Sequence, residues 1–244
     1  MQNTKTFEIL KLLKSHYSQA KIALIYSNHW ELLVSVILSA QCTDKKVNEV
    51  TARLFAKYKT LEDYVKADIS KFEQDIRSTG FYHAKAKNIL ATAKLVKEKF
   101  KGTVPKTMAE MLTLPGVARK TANVVLGNAY QVIEGIAVDT HVHRISQRLR
   151  LVDLAKIGGK NRLFLPTPGV EQLQTKGRRS SQTVDYIKDA DPNKIEKELM
   201  SNIAKEEWFK LTYMIIDHGR AICKAQNPNC QICPLNNLCP ASRI

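Results

Sequence analysis

A lysine beside a proline-glycine turn is the first residue in this sequence that could do chemistry. In LTLPGVARKTANV, residues 112–124, one helical pattern ends near Leu114 and another begins near Arg119, so Lys120 falls in the first turn of the second helix. A cation there is disfavoured by a few tenths to ~1 kcal/mol, because the helix dipole is positive at that end. The dipole and Arg119 together favour the neutral amine, which is a nucleophile able to form a Schiff base with a sugar carbon. The alternative is a solvated lysine that binds phosphate.

Asp139 is the second candidate. It is the one carboxylate in IAVDTHVHR, residues 136–144, and follows an apolar run at the start of a basic helix. It could stabilise positive charge on a deoxyribose as a glycosidic bond breaks, or move protons. It could equally be an N-cap that contributes about 1 kcal/mol to the helix. His141 and His143 show no metal-ligand pattern, and we interpret them as structural or DNA-facing.

Four cysteines close to the C-terminus form the third group, with the spacing C-x6-C-x2-C-x5-C: Cys223, Cys230, Cys233 and Cys239. Thiolates this close together indicate one four-coordinate metal centre. Zinc and an iron–sulfur cluster both remain possible, and the single C-x2-C unit slightly favours iron–sulfur. Cys42 lies far from this group, and we predict that it is a small buried residue.

The turn before Lys120 could also bind a phosphate. The first N–H groups of a helix have no partner inside the helix and suit an anion. Gly116 permits a tight turn and a close approach of a nucleic-acid backbone. Such a contact is independent of base sequence. An ordinary helix–turn–helix corner would show the same pattern.

The charge balance indicates a polyanionic partner. The 244 residues include 38 Lys and Arg against 23 Asp and Glu, a formal net charge of +15. Nucleic acid is the partner we expect first and an anionic membrane second. The N-terminus lacks the features of a signal peptide, and no apolar run approaches the ~20 residues of a membrane span. We therefore expect a cytoplasmic protein without membrane contact, whose cysteines are thiols or metal ligands.

The elements that must position these residues are almost all helices. The periodicity predicts the following: Thr6–Tyr17, Trp30–Gln41, Lys45–Tyr58, a short pair in Leu61–Arg77, Tyr82–Phe100, Thr107–Leu114, Arg119–Tyr130, Thr140–Leu151, Pro192–Met200 and Glu207–Arg220. The segment from Trp30 is apolar nearly all round, which predicts a buried helix. Thr107 and Glu110 match a capping box.

Residues 153–190 depart from this helical pattern. They contain six of the chain's 18 Gly and Pro residues and show little periodicity. We predict a long loop or insertion there, with a basic patch at Lys176, Arg178 and Arg179.

Taken together, the motifs resemble the endonuclease III family of DNA glycosylases. The matching segments are LSAQCTDKKVN at 38–48, LPGVARKTANVVL at 114–126, VDTHVHR at 138–144 and the cysteine cluster at 223–239. The resemblance implies an all-α, two-domain helix-hairpin-helix DNA glycosylase fold around a DNA-binding cleft. Residues 22–132 would form a six-helix barrel domain, with the helix-hairpin-helix motif at about 107–130. Residues 1–21 and 133–244 would form the iron–sulfur cluster domain.

The resemblance also implies a role for individual residues. Lys120 would be the Schiff-base nucleophile and Asp139 the catalytic aspartate, and the four cysteines would hold a [4Fe–4S] cluster. Gln41 would fill the space of a flipped nucleotide, while Phe81 would insert into the opposite strand. The further expected DNA contacts, around the hairpin and the catalytic helix, are Leu114, Gly116, Val117, Ala118, Arg119, Thr121 and His141.

The implied activity is that of a bifunctional DNA glycosylase and AP lyase of base excision repair. It would remove oxidised pyrimidines through a lysine Schiff base and cut the strand 3′ to the abasic site by β-elimination. We expect a monomer, associated with the nucleoid, acting on double-stranded DNA with damaged pyrimidines or abasic sites. Ala118 stands where many relatives have glycine, and the 153–190 insertion is longer than usual. The alternatives are a monofunctional adenine or mismatch-thymine glycosylase, which would lack Lys120, and a non-catalytic iron–sulfur DNA-binding or redox-sensing protein.

Overall fold

The computed structural model describes residues 4–165 and 183–244, and in these ranges the chain is mainly helical. The α-helices of the first half are α1 (Thr4–His16), α2 (His29–Leu38), α3 (Asp44–Lys57), α4 (Leu61–Val65), α5 (Ile69–Ile76), α6 (Tyr82–Phe100), α7 (Met108–Met111) and α8 (Arg119–Tyr130). They are followed by α9 (Thr140–Arg148), the strands β1 (Arg162–Phe164) and β2 (Val184–Ile187), and the helices α10 (Pro192–Asn202) and α11 (Trp208–Ala221). None of the helices in the described ranges is long and apolar enough to cross a membrane.

The backbone divides into two compact units. One is the continuous segment Ile22–Glu134, and the other combines Met1–Lys21 with Gly135–Ile244. Lys120 belongs to the first unit, whereas Asp139 and the four-cysteine segment belong to the second.

The unit Ile22–Glu134 contains α2 to α8. Helix α2 begins after Asn28, whose side chain caps the Glu31 N–H, and every residue from Leu32 to Leu38 is buried. The prediction of a buried helix is therefore confirmed. Further caps start its neighbours: Thr43 before α3, Thr60 in a capping box before α4, and Asp68 before α5.

The second unit is built around a core that joins both ends of the chain. Ile9, Leu10 and Leu13 of α1 are buried in one hydrophobic cluster with residues of α9, α10 and α11. Lys14 pairs with Glu207 at 2.5 Å, and the Tyr17 hydroxyl lies 3.0 Å from Nδ1 of His218. The N-terminal helix is thus part of the same core as the C-terminal segment.

The two strands were not predicted. β1 and β2 pair antiparallel, with Arg162 opposite Ile187, and lie inside the stretch that we expected to be only a loop. Each is three or four residues long and the register is irregular, so local alternation gives almost no signal. The predicted basic patch at Lys176, Arg178 and Arg179 lies outside the described residues.

Several helix limits also differ from those predicted. Helix α2 ends at Leu38 rather than Gln41, and α9 ends at Arg148 rather than Leu151. The Thr107 cap is confirmed, since its hydroxyl accepts the Glu110 N–H at 3.3 Å. Cys42 is partly exposed rather than buried, because it follows the end of α2 in a turn.

Candidate functional site

The hairpin between α7 and α8 holds its turn by burying apolar side chains. Leu114 and Val117 are 3% and 7% exposed, and the Val117 N–H donates to the Leu114 carbonyl at 3.1 Å. Between them Gly116 is exposed and has φ +76°, a left-handed conformation that favours glycine. A Cβ there would lie 2.7 Å from Nδ2 of Asn88. The turn therefore presents backbone outward, while the apolar side chains hold it in place.

Helix α8 begins without a side-chain cap. Ala118 occupies the N-cap position with extended φ and ψ and makes no side-chain hydrogen bond. Arg119, Lys120 and Thr121 follow in the first turn, each partly buried. Lys120 thus lies where the sequence predicted, in the first turn, beside Arg119 and at the positive end of the helix dipole.

Asp139 is the N-cap of α9. Its Oδ1 accepts the backbone N–H groups of His141 and Val142, at 2.9 and 2.8 Å, and the residue is partly exposed. The capping interpretation is therefore confirmed. The cap uses only Oδ1, so Oδ2 takes no part in it. Capping therefore fixes the position of the carboxylate and is compatible with a catalytic role.

The first turn of α9 packs closely on α11. Gly219 of α11 faces this turn so closely that a Cβ would lie 2.4 Å from Nδ1 of His141 and 2.9 Å from Cδ1 of Ile145. His141 is partly buried there, whereas Nε2 of His143 lies 3.0 Å from the Ala190 carbonyl. The two histidines therefore have different neighbours within this unit, and His143 contacts the backbone at Ala190.

Gln41 and Phe81 are both exposed and both strained. Gln41 has φ +53° and Phe81 has φ +48°, a left-handed conformation that is uncommon outside glycine. The Phe81 side chain is 66% exposed although it is apolar. Strain of this kind is concentrated at functional sites, where the surrounding structure maintains it.

A buried lysine that the sequence did not single out contacts the backbone close to both Gln41 and Phe81. Nζ of Lys85 in α6 donates to the carbonyls of Leu38 and Thr79, both at 2.8 Å, and the residue is 5% exposed. Burial lowers the pKa of Lys85. Leu38 is three residues before Gln41, and Thr79 is two residues before Phe81. One ammonium therefore fixes the backbone beside both strained residues.

The four cysteines of the second unit are brought together around a cavity. Cys223, Cys230, Cys233 and Cys239 are partly buried free thiols that line one shared pocket. Four thiols that line one pocket are a donor set suited to a metal centre, either one zinc ion bound by all four sulfurs or a four-iron cluster in which each thiolate binds a different iron.

The environment of the thiols also fits a metal centre. Burial raises the pKa of Cys233, and it raises the pKa of Cys239 to about 11, with the neighbouring thiolates adding to the effect. Buried thiols of this kind need a cationic centre to become the thiolates that bind metal. Apolar side chains line the pocket beside the thiols, among them Leu149, Ile222 and Pro228.

The chain matches two families in the regions just described. Residues 34–158 match the HhH-GPD superfamily of base excision DNA repair proteins, and residues 223–239 match the iron-sulfur binding domain of endonuclease III. The chain is 42% identical to the endonuclease III of Synechocystis sp. over 97% of its own length and 92% of that relative. It belongs to the endonuclease III family.

Solved structures of endonuclease III agree with this assignment. A non-covalent endonuclease III–DNA complex matches with a TM-score of 0.80 and 39% identity, over 98% of this chain and 96% of that one. A trapped covalent endonuclease III–DNA intermediate matches with a TM-score of 0.80 and 38% identity, over 99% and 97%. The fold is therefore the all-α helix-hairpin-helix glycosylase fold with an iron–sulfur domain.

As a member of the endonuclease III family, the chain is a bifunctional DNA glycosylase and AP lyase of base excision repair. It acts on DNA and carries a [4Fe–4S] cluster, as predicted. The monofunctional and non-catalytic alternatives are thereby set aside. The sequence did not reveal the contributions of Lys85 and Gly219, since each depends on a partner distant in the chain.

Proposed function

We propose that this chain removes oxidised pyrimidines from double-stranded DNA with Lys120 as the nucleophile and Asp139 as its catalytic carboxylate. The observation that carries the proposal is the position of Lys120 in the uncapped first turn of α8, directly after an exposed glycine turn. The turn also offers backbone N–H groups to a phosphate, which suits a substrate held by its backbone.

The proposed reaction has two steps. Nζ of Lys120 attacks C1′ of the damaged nucleotide, a C–N bond forms, and the glycosidic bond breaks as the base leaves and takes up a proton. Opening of the sugar ring and loss of the amine proton give an imine, which makes the C2′ proton acidic. Removal of that proton expels the 3′ phosphate by β-elimination, and water then releases the enzyme. Asp139 would stabilise the positive charge on the sugar and assist proton transfer.

Gln41 and Phe81 are proposed to occupy the space that base flipping opens. Their left-handed backbones and exposed side chains support this role, because an inserted side chain must be held rigidly clear of the surface. The hairpin residues Leu114, Gly116, Val117, Ala118, Arg119 and Thr121 would hold the phosphates. Since Leu114 and Val117 have buried side chains, they would contribute through their backbone. His141 is proposed to contact DNA at the start of α9.

Cys223, Cys230, Cys233 and Cys239 are proposed to be the four cluster ligands. We assign the barrel and its hairpin to residues 22–132 and the cluster domain to residues 1–21 and 133–244. The cluster supplies no step of the reaction and has a structural role, holding its loop. We further propose that the protein acts as a monomer in the cytoplasm, associated with the nucleoid, where its DNA substrate lies.

Borohydride trapping tests the nucleophile. A duplex with one thymine glycol and a duplex with one abasic site are each incubated with enzyme and borohydride, and covalent adducts are separated by size. The wild-type protein and Lys106→Gln, the same change at an exposed lysine of the same unit, should give adducts on both. Lys120→Gln should give none while DNA binding persists. An adduct with Lys120→Gln would refute the assignment.

Trapping also tests the substrate class. An adduct on the abasic duplex without one on thymine glycol would leave the lyase step intact and refute an oxidised pyrimidine as the substrate. Loss of both trapping and DNA binding in Lys120→Gln would show that Lys120 serves binding rather than chemistry.

A further inference from the structure

A buried ion pair joins the insertion to the end of the catalytic helix. Asp185 lies on β2 and is 3% exposed, and Arg148 ends α9 and is 2% exposed. Their contact is bidentate: Nε of Arg148 donates to Oδ1 at 2.7 Å, and Nη2 donates to Oδ2 at 2.8 Å. This geometry fixes the plane of the guanidinium, because two parallel hydrogen bonds allow one orientation.

The remaining N–H groups of the same guanidinium donate to the cysteine segment. Nη1 of Arg148 donates to Sγ of Cys223 at 3.3 Å and to the Lys224 carbonyl at 2.8 Å. Nη2 donates to the Ala225 carbonyl at 2.8 Å. Three consecutive residues, beginning with the first proposed cluster ligand, are therefore held by one side chain.

The strand β2 is attached to α9 by further bonds. Oε1 of Gln147 accepts the Ile187 N–H at 2.8 Å, and Nε2 of Gln147 donates to the Ile187 carbonyl at 3.3 Å. Gln147 is fully buried. The strand therefore has a fixed position beside α9, which gives Asp185 a defined place from which to orient Arg148.

We infer that the base of the insertion is a positioning element for the iron–sulfur centre, in which Asp185 orients Arg148 so that Arg148 donates a hydrogen bond to the sulfur of Cys223. The inference rests on the proposed role of Cys223 as a cluster ligand. Arg148 is a positioning residue and takes no part in the glycosylase reaction. A hydrogen bond to a ligand sulfur withdraws charge from it, which raises the reduction potential of a bound cluster, and the clamped loop protects the cluster from loss.

Cluster retention is the first measurement. Purified holoprotein is challenged with a chelator, and the loss of iron–sulfur absorbance at about 400 nm is followed with time. Asp185→Asn should lose its cluster about tenfold faster, a typical effect of a changed partner behind a metal ligand. Asp189→Asn is the matched control, because this exposed carboxylate of the same insertion accepts backbone N–H groups of Lys160 and Asn161 instead. Equal rates for the two variants would overturn the inference.

A double variant covers the case in which Asp185→Asn does not fold. Arg148→Met with Asp185→Asn removes both charges together, which a fold tolerates better than one unpaired buried charge. It lacks the donor to Cys223, so it should lose its cluster about tenfold faster than wild type. A folded double variant that keeps its cluster as long as wild type would overturn the inference. Arg243 also donates to Asp185, at 3.2 Å, but it contacts the Gln226 carbonyl and not a cysteine. Adding Asp185→Asn to Arg148→Met should therefore give little further acceleration, because the link from Asp185 to the Cys223 sulfur runs through Arg148.

The reduction potential separates positioning from a purely structural role. The double variant leaves the net charge near the cluster unchanged and removes the hydrogen bond to sulfur, so its potential should fall below that of wild type. An unchanged potential would overturn the inference. Cys223→Ser is measured alongside as a test of the ligand assignment. If this variant retained the cluster, both the assignment of Cys223 as a ligand and this inference would be overturned. If it loses the cluster, the ligand assignment stands and the double variant tests the role of Asp185.

Discussion

Replacing Lys85 by methionine removes a charge and two hydrogen bonds while nearly preserving side-chain length. Its ammonium now donates to the carbonyls of Leu38 and Thr79, both at 2.8 Å, in a site where the residue is 5% exposed. Methionine fills the same space and donates nothing. The two carbonyls would remain buried beside the strained residues Gln41 and Phe81.

The expected magnitude follows from those contacts. Two hydrogen bonds from a charged donor contribute about 3 to 6 kcal/mol together. Burial of the apolar methionine side chain offsets this by roughly 1.5 to 3 kcal/mol. We therefore expect Lys85→Met to lower the free energy of local opening by about 2 to 3 kcal/mol, which corresponds to roughly 30- to 150-fold faster amide exchange.

Hydrogen–deuterium exchange measures this directly. Peptides covering Leu38–Gln41 and Thr79–Phe81 should exchange faster in Lys85→Met, whereas peptides of α11 should not. Lys94→Met is the matched control, since Lys94 lies on the same helix α6 and is exposed. Unchanged exchange in both segments, or an equal change in the control, would contradict the reasoning.

The comparison also has a defined pH dependence. Burial lowers the folded-state pKa of Lys85 below the value of about 10.4 for an unfolded chain. The folded protein therefore loses this proton first as pH rises, and the penalty for burying the cation is present at neutral pH and absent above pH ~10.4. As pH rises from the lowered folded-state pKa of Lys85 to about 10.4, wild type should gain stability relative to Lys85→Met. A loss of relative stability over the same pH range would refute a buried cation.

Three further substitutions test the site. Asp139→Asn keeps a good N-cap, so the thermal midpoint should hold while glycosylase turnover falls about 10²- to 10⁴-fold; full activity would leave capping as its whole role. Gly116→Ala forces a Cβ into a left-handed turn 2.7 Å from Nδ2 of Asn88 and should destabilise by about 1 to 2 kcal/mol and weaken DNA binding, as thermal unfolding and fluorescence anisotropy would show. Gly219→Ala would usually stabilise a helix, yet here its Cβ meets His141 at 2.4 Å, so unfolding should show a net loss of about 1 to 2 kcal/mol. A raised midpoint in Gly219→Ala would mean that α9 and α11 pack less closely than described.

Features set by local chemistry could be predicted from the sequence. The buried helix α2 follows from an apolar run, and the caps at Thr107 and Asp139 follow from residue type and spacing. The cysteine spacing likewise indicated a metal centre, although it left zinc and iron–sulfur open. The resemblance to a known family, rather than periodicity, identified the activity.

Features that depend on distant partners could not be predicted. Asp185 is one carboxylate among many in the sequence, and its importance comes from Arg148, 37 residues earlier. Lys85 resembles the other lysines of α6 until its two carbonyl partners are known, one of them 47 residues away. The strands β1 and β2 could not be predicted for the same reason. Each is too short to show an alternating pattern of its own, and each is defined by its pairing with the other.

The shared core of α1 and α11 sets an order for folding during synthesis. The unit Ile22–Glu134 is continuous, so it can fold as soon as it has left the ribosome. Helix α1 ends at His16 and must wait for α11, which begins at Trp208, and at ~5–20 residues per second that delay is roughly 10 to 40 s. During this interval Ile9, Leu10 and Leu13 have no α11 to pack against. Helix α1 is therefore buried later than the helices of the continuous unit that follow it, and nascent chains expose it to chaperones and proteases for longer than those helices.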